Sequence, residues 1–318
     1  MKDLLFAMYM GGPDSIEAIR PFLKNLFSDR TIIDFKIGTV PQNILAGIIA
    51  KSRSRKVAPL YEKMGGSSPQ LRHMDSVLNK LKELYANTKG QELDVEIGMC
   101  YYHPYIEESL EKLNGREYNR VYLMTMYPQA SYTTSGLCFK RFDEHLPKVN
   151  LKGNFKRIDH WHLNRDYNIC LVKRIEEAAE RLGKPVQECH ILFSAHSLPE
   201  YTVKKGDVYT RHLREQIEYI TGLLKTEKYS AAFQSRTGPV KWLGPETDKE
   251  LERIYELNID NIIVVPISFV SDHIETLIEL DEEYLADFKN RGMNIVRTES
   301  LNDSDDFAEA LLSVLENV

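Results

Sequence analysis

His196 closes the apolar run "HILFSAH" (190–196), and the "SLPEY" that follows supplies a proline that stops the strand from continuing. An imidazole at such an end can face a cleft, and an unperturbed pKa near ~6.5 lets it accept and release a proton close to neutrality. A second histidine, His273, also follows an apolar run, "NIIVVPISFV" (261–270), and opens into "SDHIETLIELDEEY" (271–284). Asp272 precedes it, and Glu275, Glu279 and Glu283 recur at every fourth position. On an α-helix that spacing stacks the three carboxylates on one face, where like charges cost about 0.2–0.5 kcal/mol per pair. A cation would offset the repulsion. Imidazole nitrogens and carboxylate oxygens together suit a borderline divalent metal such as Fe²⁺. The plain alternatives are a hydrogen-bonded structural histidine and a solvated acidic face, which is how "DEEY" reads in isolation. The place of Glu275 just behind a strand end points it at a cleft more than Glu282.

Two further stretches carry candidate binding residues. "FQSRTGPVKWLGP" (233–245) joins a strand end to the turn formers Gly238, Pro239, Gly244 and Pro245, and holds Trp242, one of only two tryptophans. Trp242 at such a turn packs either against a flat ligand or into the core. "AKSRSRKV" (50–57) follows "PQNILAGIIAK", where Ile44, Leu45, Ile48 and Ile49 share a helical stripe. Arginines there could pair with an acidic ligand, the stripe and its basic end could touch a membrane surface, or the whole could be an ordinary surface helix.

These residues need a scaffold that brings strand ends together. Short runs rich in β-branched and aromatic residues recur at 4–10, 93–101, 120–127, 190–196, 229–235, 262–270 and 294–300, each with the character of a buried strand. Amphipathic helical patterns lie between them at 72–88, 105–114, 167–183 and 247–258. The alternation predicts an α/β protein with parallel sheets, whose ligands lie beyond the carboxyl ends of the strands. Pro, Gly and charge around 145–160 mark a crossing between two domains, 1–150 and 151–318.

With 318 residues, 42% of them hydrophobic, the chain can bury a sizeable core, and a formal net charge of −6 gives no general argument for nucleic acid. Nothing at the start reads as a secretion signal, and no apolar run approaches the roughly 20 residues of a membrane span, so a cytoplasmic protein is expected. Cys100, Cys138, Cys170 and Cys189 show no C-x-x-C pairing, which argues against a zinc site and reads as four buried thiols.

Together the motifs resemble those of the ferrochelatases, enzymes that insert Fe²⁺ into a porphyrin. The resemblance runs through "MGGP" (10–13), "FLKNLFSDR" (22–30), "YEKMGGSSP" (61–69), "YPQAS" (127–131), "FSAHSLP" (193–199), "FQSRTGPVKWLGP" (233–245) and "VVPISFVSDHIETL" (264–277), nearly the whole chain. It implies two Rossmann-like domains, with parallel sheets flanked by helices, facing across a porphyrin cleft and binding no dinucleotide. It implies that His196 accepts pyrrole protons or meets the metal and that Glu275 shares that work. Asp272, His273 and Trp242 match the family's cleft residues. Glu279 and Glu283 match an acidic row taken as a path for metal delivery or proton removal.

The resemblance also bears on the substrate. "MGGP" is the form common in members acting on protoporphyrin, whereas members acting on coproporphyrin typically carry a tyrosine in place of Met10. Arg53 and Ser68 fall where propionate contacts are expected, although "GGSSPQ" (65–70) stands where the family usually reads "GGGSPL". Met10, Tyr127 and Trp242 would be walls that hold the macrocycle distorted. Relatives with an iron–sulfur cluster place one cysteine where this chain has Tyr132, so no cluster and no other cofactor is expected. The expected partners are the porphyrin and ferrous iron, with peripheral membrane contact and transfer partners for iron or haem in addition. The competing readings are a chelatase for coproporphyrin III or another tetrapyrrole, and a non-catalytic haem or metal carrier.

Overall fold

The computed structural model describes residues 1–33, 35–236 and 240–318, so the turn formers Gly238 and Pro239 lie outside the described residues. Contacts divide the chain into two compact units, Met1–His160 with Val314–Val318, and Trp161–Ser313.

The first unit is built on a parallel sheet with strand order β2-β1-β3-β4, from β1 (Asp3–Tyr9), β2 (Leu93–Met99), β3 (Glu117–Thr125) and β4 (Lys152–Ile158). Its helices are α1 (Ile19–Ser28), α2 (Thr39–Lys63), α3 (Gln70–Lys89), α4 (Ile106–Lys112) and α5 (Ser135–His145). The second unit repeats the plan with order β6-β5-β7-β8, from β5 (His190–His196), β6 (Tyr229–Gln234), β7 (Asn261–Pro266) and β8 (Asn294–Arg297). Around it lie α6 (Arg165–Leu182), α7 (Glu200–Lys204), α8 (Tyr209–Leu224), α9 (Thr247–Glu256), α10 (Ala286–Asn290) and α11 (Asp305–Glu316), whose last residues fall to the first unit.

The expected α/β class and parallel sheets are present, with several local differences. β1 is buried along its whole length, as is β5 up to His196, because each is covered by helices on both faces and flanked by two strands. β2 and β6 stand at sheet edges and are only partly buried, with Asp94 to Ile97 of β2 all half-buried, so the expectation of uniformly buried strands fails there. The stretch expected to be an interdomain crossing contains β4, an edge strand of sequence "KGNFKRI" with only Ile158 buried. Its polar composition hides it from any search for apolar runs. The compact units divide between His160 and Trp161, after this strand, and not at residue 150.

The stripe on α2 also differs from a core stripe. Gln42, Ala46 and Ala50 face inward, while Val40, Ile44 and Ile48 are 71%, 64% and 62% exposed.

The largest departure is at Glu275–Leu285, which winds as a π-helix. A turn then takes between four and five residues, because the backbone bonds run from i to i+5, and residues five apart come nearer to one face than on an α-helix. Leu280 and Leu285 both enter the core of the second unit with Leu192, Val264 and Ile295. On an α-helix the same two side chains would diverge by about 140°. Burying each leucine contributes roughly 1.5–3 kcal/mol, far more than any relief of surface charge, so the hydrophobic register decides the winding.

Candidate functional site

The π-helix also decides where the carboxylates go. Glu275 opens this helix, and its carbonyl accepts from Gln234 at the end of β6, so it lies at the carboxyl edge of the sheet. There His196 ends β5, between the edge strand β6 and β7. Glu275 Oε1 lies 3.6 Å from His196 Nε2, and its Oε2 lies 3.5 Å from His273 Nε2. Both distances exceed those of good hydrogen bonds, and Oε2 is buried with no hydrogen-bond partner among the described residues. The side chains of His196 and Glu275 are 34% and 27% exposed. One carboxylate thus sits between two imidazoles at a strand-end site that still meets solvent.

His196 is held firmly. Its N–H donates to Ser268 Oγ at 2.8 Å and its carbonyl accepts from the Tyr209 hydroxyl at 3.1 Å. Nδ1 lies 2.6 Å from the Ser197 carbonyl, which can only accept, so Nδ1 carries a proton and Nε2 faces Glu275. Burial disfavours the imidazolium, but the Glu275 charge and the Ser197 carbonyl outweigh it and raise the pKa to about 9. Burial pushes the Glu275 carboxyl up, yet His196 and His273 hold it well below the usual carboxylate range. In the substrate-free protein the pair is therefore imidazolium and carboxylate near neutrality.

Glu279 does not continue a row from Glu275. Its i+5 neighbour is Tyr284, whose hydroxyl donates to Oε1 at 2.9 Å. Ser235, in a left-handed conformation (φ 67°) just after β6, donates its backbone N–H to Oε1 at 2.8 Å and its hydroxyl to Oε2 at 2.5 Å. Glu283 is exposed. The α-helical stacking of three carboxylates expected from the spacing is thus replaced by one carboxylate between histidines, one locked by donors, and one at the surface.

Asp272 is buried and saturated. Oδ1 accepts from Ser300 Oγ at 2.7 Å and Thr276 Oγ1 at 3.0 Å, Oδ2 accepts from Asn302 Nδ2 at 2.9 Å, and Arg297 pairs with Oδ1 at 3.1 Å. Burial opposes its charge, but Arg297 and these donors hold its pKa below the ordinary value. His273 is buried, packs its ring 4.3 Å from that of Phe269, and places Nδ1 3.1 Å from the Ser271 carbonyl. Trp242 lies half-buried beside the loop after β5, in an isolated antiparallel bridge with Pro199, and its Nε1 is buried with no hydrogen-bond partner among the described residues.

The expected macrocycle contacts of the first unit fall into separate surroundings. Met10 follows β1 half-buried, and its N–H donates at 3.0 Å to the hydroxyl of buried Tyr127, whose ring lies 4.4 Å from that of Tyr9. Tyr127 is therefore a backing for Met10. Ser68 donates its N–H to the Pro13 carbonyl at 2.7 Å and lines a crevice of about 540 Å³ with both charged and apolar walls, among them Asp14, Arg72, Lys112, Leu71 and Ile97. A Cβ on Gly12 would come within 2.8 Å of the Ser68 side chain, so glycine is what permits this approach. Arg53 is exposed, its guanidinium 5.7 Å from the Phe27 ring.

Sequence reasoning missed Ser235, Gln234, Ser268 and Tyr209. Gln234 is buried, accepts from Ser194 Oγ at 2.6 Å and donates at 3.0 Å to the Glu275 carbonyl, tying the start of the π-helix to the sheet. All four are common residue types whose importance comes only from the fold. The cysteines, far apart in sequence, are free and buried, but Cys100 and Cys138 bring their sulfurs to 3.4 Å. Elsewhere in the second unit His162 and His212 stack with centroids 4.0 Å apart and planes 14° apart.

The sequence profile described as ferrochelatase matches residues 3–318. The chain belongs to the ferrochelatase family. It is 37% identical to the ferrochelatase of Aquifex aeolicus (strain VF5), over 100% of this chain and 99% of that protein. It is 35% identical to the ferrochelatase of Synechocystis sp., over 96% of this chain and 80% of that one. Members of this family are metal-chelating enzymes. Among solved structures, CbiX, described as the terminal enzyme for siroheme biosynthesis in denitrifying bacteria, matches with a TM-score of 0.50 at 11% identity, covering 100% of this chain and 99% of that one. SirB from Bacillus subtilis with Fe³⁺ matches with a TM-score of 0.50 at 13% identity, covering 100% and 95%. At these identities the two structures speak to the fold alone.

Proposed function

We propose that this enzyme inserts Fe²⁺ into protoporphyrin IX to form protohaem, with release of two protons. The observation that carries the reading is the carboxylate of Glu275 set between the Nε2 atoms of His196 and His273 at the carboxyl ends of a parallel sheet. A free-base macrocycle must lose two N–H protons as the metal enters, which calls for bases that face the ring and a carboxylate that steadies the cations formed. His196 accepts a pyrrole proton or meets the metal once its own proton has left, and Glu275 shares both tasks. His273 flanks that carboxylate. We assign metal delivery or proton exit to Glu279, held by Ser235 and Tyr284, and to the exposed Glu283. Asp272 anchors the segment.

Bending a planar porphyrin so that its nitrogen lone pairs become accessible costs about 1–5 kcal/mol, supplied by binding elsewhere on the ring. We assign such contacts to Met10, backed by Tyr127, and to Arg53 and Ser68 on the first unit, and to Trp242 on the second. Met10 in "MGGP" favours protoporphyrin over coproporphyrin III. The reaction is a metal-for-proton exchange without electron transfer, so no cofactor and no iron–sulfur cluster is invoked; Fe²⁺ is a substrate. No helix among the described residues is long and apolar enough to cross a membrane. The exposed Val40, Ile44 and Ile48 beside Lys51 and Arg53 support peripheral contact with a membrane face from the cytoplasm, where an iron donor and a haem acceptor would be met. The test is anaerobic Fe²⁺ insertion into protoporphyrin IX and coproporphyrin III in parallel; a carrier would bind porphyrin without accelerating metallation.

A further inference from the structure

Arg297, the last residue of β8, touches none of the groups assigned to substrate, and its side chain is only 8% exposed. Its guanidinium reaches two points on the segment that bears Glu275. On one side it pairs with Asp272 Oδ1 at 3.1 Å, the residue just before His273. On the other, Nε and Nη2 hold the two oxygens of Asp281, in the middle of the π-helix, at 2.9 and 2.8 Å. The two-pronged grip on Asp281 fixes orientation as well as distance. The Asp272 end is secured again by Asn302, whose side chain exchanges bonds with the Asp272 N–H at 2.8 Å and Oδ2 at 2.9 Å. His273, Glu275 and Thr276 therefore lie between two points anchored to one strand end.

The π-helix begins at Glu275, the residue that faces His196, and π turns are rare and often found at functional sites. We propose that Arg297 is a positioning residue for metal insertion: by gripping Asp272 and Asp281 together it holds the π-helix in the register that sets Glu275 between His196 and His273. This rests on the reading of Glu275 as part of the reacting pair. The alternative is a buried arginine that matters only for folding.

Two variants test it. Arg297→Lys keeps the charge and loses the fork; Asp281→Asn releases the more accessible end while leaving Arg297 paired with Asp272, so it should remain folded by circular dichroism. With Fe²⁺ and protoporphyrin IX, each is expected to lower kcat about 10- to 100-fold, the range for residues that orient a metal-facing ligand, with KM for porphyrin little changed. In a Glu275→Gln background, adding Asp281→Asn should change kcat by less than about twofold, because the effect runs through Glu275. Losses that multiply in the double variant, or a rise in porphyrin KM at unchanged kcat, would overturn the positioning role. If Glu275→Gln alone inserts iron at the parental rate, the assignment of Glu275 fails first and the positioning role with it.

Discussion

Replacing Glu275 by Gln removes the charge that raises the pKa of His196 to about 9 while keeping the shape of the side chain. In the unfolded chain the imidazole titrates near ~6.5, so the folded state gains stability from binding this proton. That gain is full below about pH 6.5 and is lost as the pH rises through about 9. At pH 7.5 the linkage comes to about 2 kcal/mol for a fully buried pair, and discounting for an imidazole that is 34% exposed leaves about 1 kcal/mol. At pH 10 both proteins hold a neutral His196 and this part of the difference vanishes. Urea unfolding of parent and variant at pH 7.5 and 10 reads the effect directly, with the variant less stable by about 1 kcal/mol more at the lower pH. A stability difference that is the same at both pH values would refute the ion pair. The same variant should depress turnover more than porphyrin affinity, since the lost charge acts on protons and metal and not on the ring.

His196→Ala should reduce insertion by about 10²-fold or more, with a small change in melting temperature because the ring is partly accessible; more than about a tenth of parental activity would remove it from the centre of the reaction. Glu279→Gln should destabilise the protein by about 1–3 kcal/mol in urea unfolding, because the Ser235 N–H, the Ser235 hydroxyl and the Tyr284 hydroxyl all donate to this carboxylate. An unchanged or higher stability would restore the picture of stacked, repelling carboxylates. Co²⁺ binding in the absence of porphyrin should strengthen with pH up to about 9, as a cation and the imidazolium proton compete for the same site, and a pH-independent affinity would place the metal elsewhere.

The parts of the fold that were legible in the sequence are those fixed by burial on two faces. β1, β5 and β7 stand out as apolar runs because no position along them meets water freely, and His196 is visible because it closes one of them. β4 escapes notice because an edge strand such as "KGNFKRI" has nothing to bury at most of its positions. The winding of Glu275–Leu285 was illegible for a different reason. A spacing of four reads as α-helical wherever it occurs, and only the shared burial of Leu280 and Leu285, five apart, shows the wider turn. Glu275 could be picked out because it lies so close behind a strand that either winding leaves it near the sheet edge. Glu279 could not be placed, since its partners Ser235 and Tyr284 follow from the π register and from a left-handed backbone at Ser235. Asp272 was visible as an acidic residue beside His273, but its saturation by Arg297, Ser300 and Asn302 depends on how the chain returns after β8.

If the His196 and Glu275 pair drives insertion of Fe²⁺ into protoporphyrin IX, removing the imidazole must stop metallation without releasing the ring. The most direct measurement is the initial rate of anaerobic metallation, followed by porphyrin absorbance, for the parent and for His196→Ala with protoporphyrin IX and coproporphyrin III side by side. The parent should form protohaem rapidly and react more slowly with coproporphyrin III, and the variant should lose nearly all activity with porphyrin still bound. Porphyrin binding without faster metallation in the parent, or equal rates in parent and variant, would contradict it.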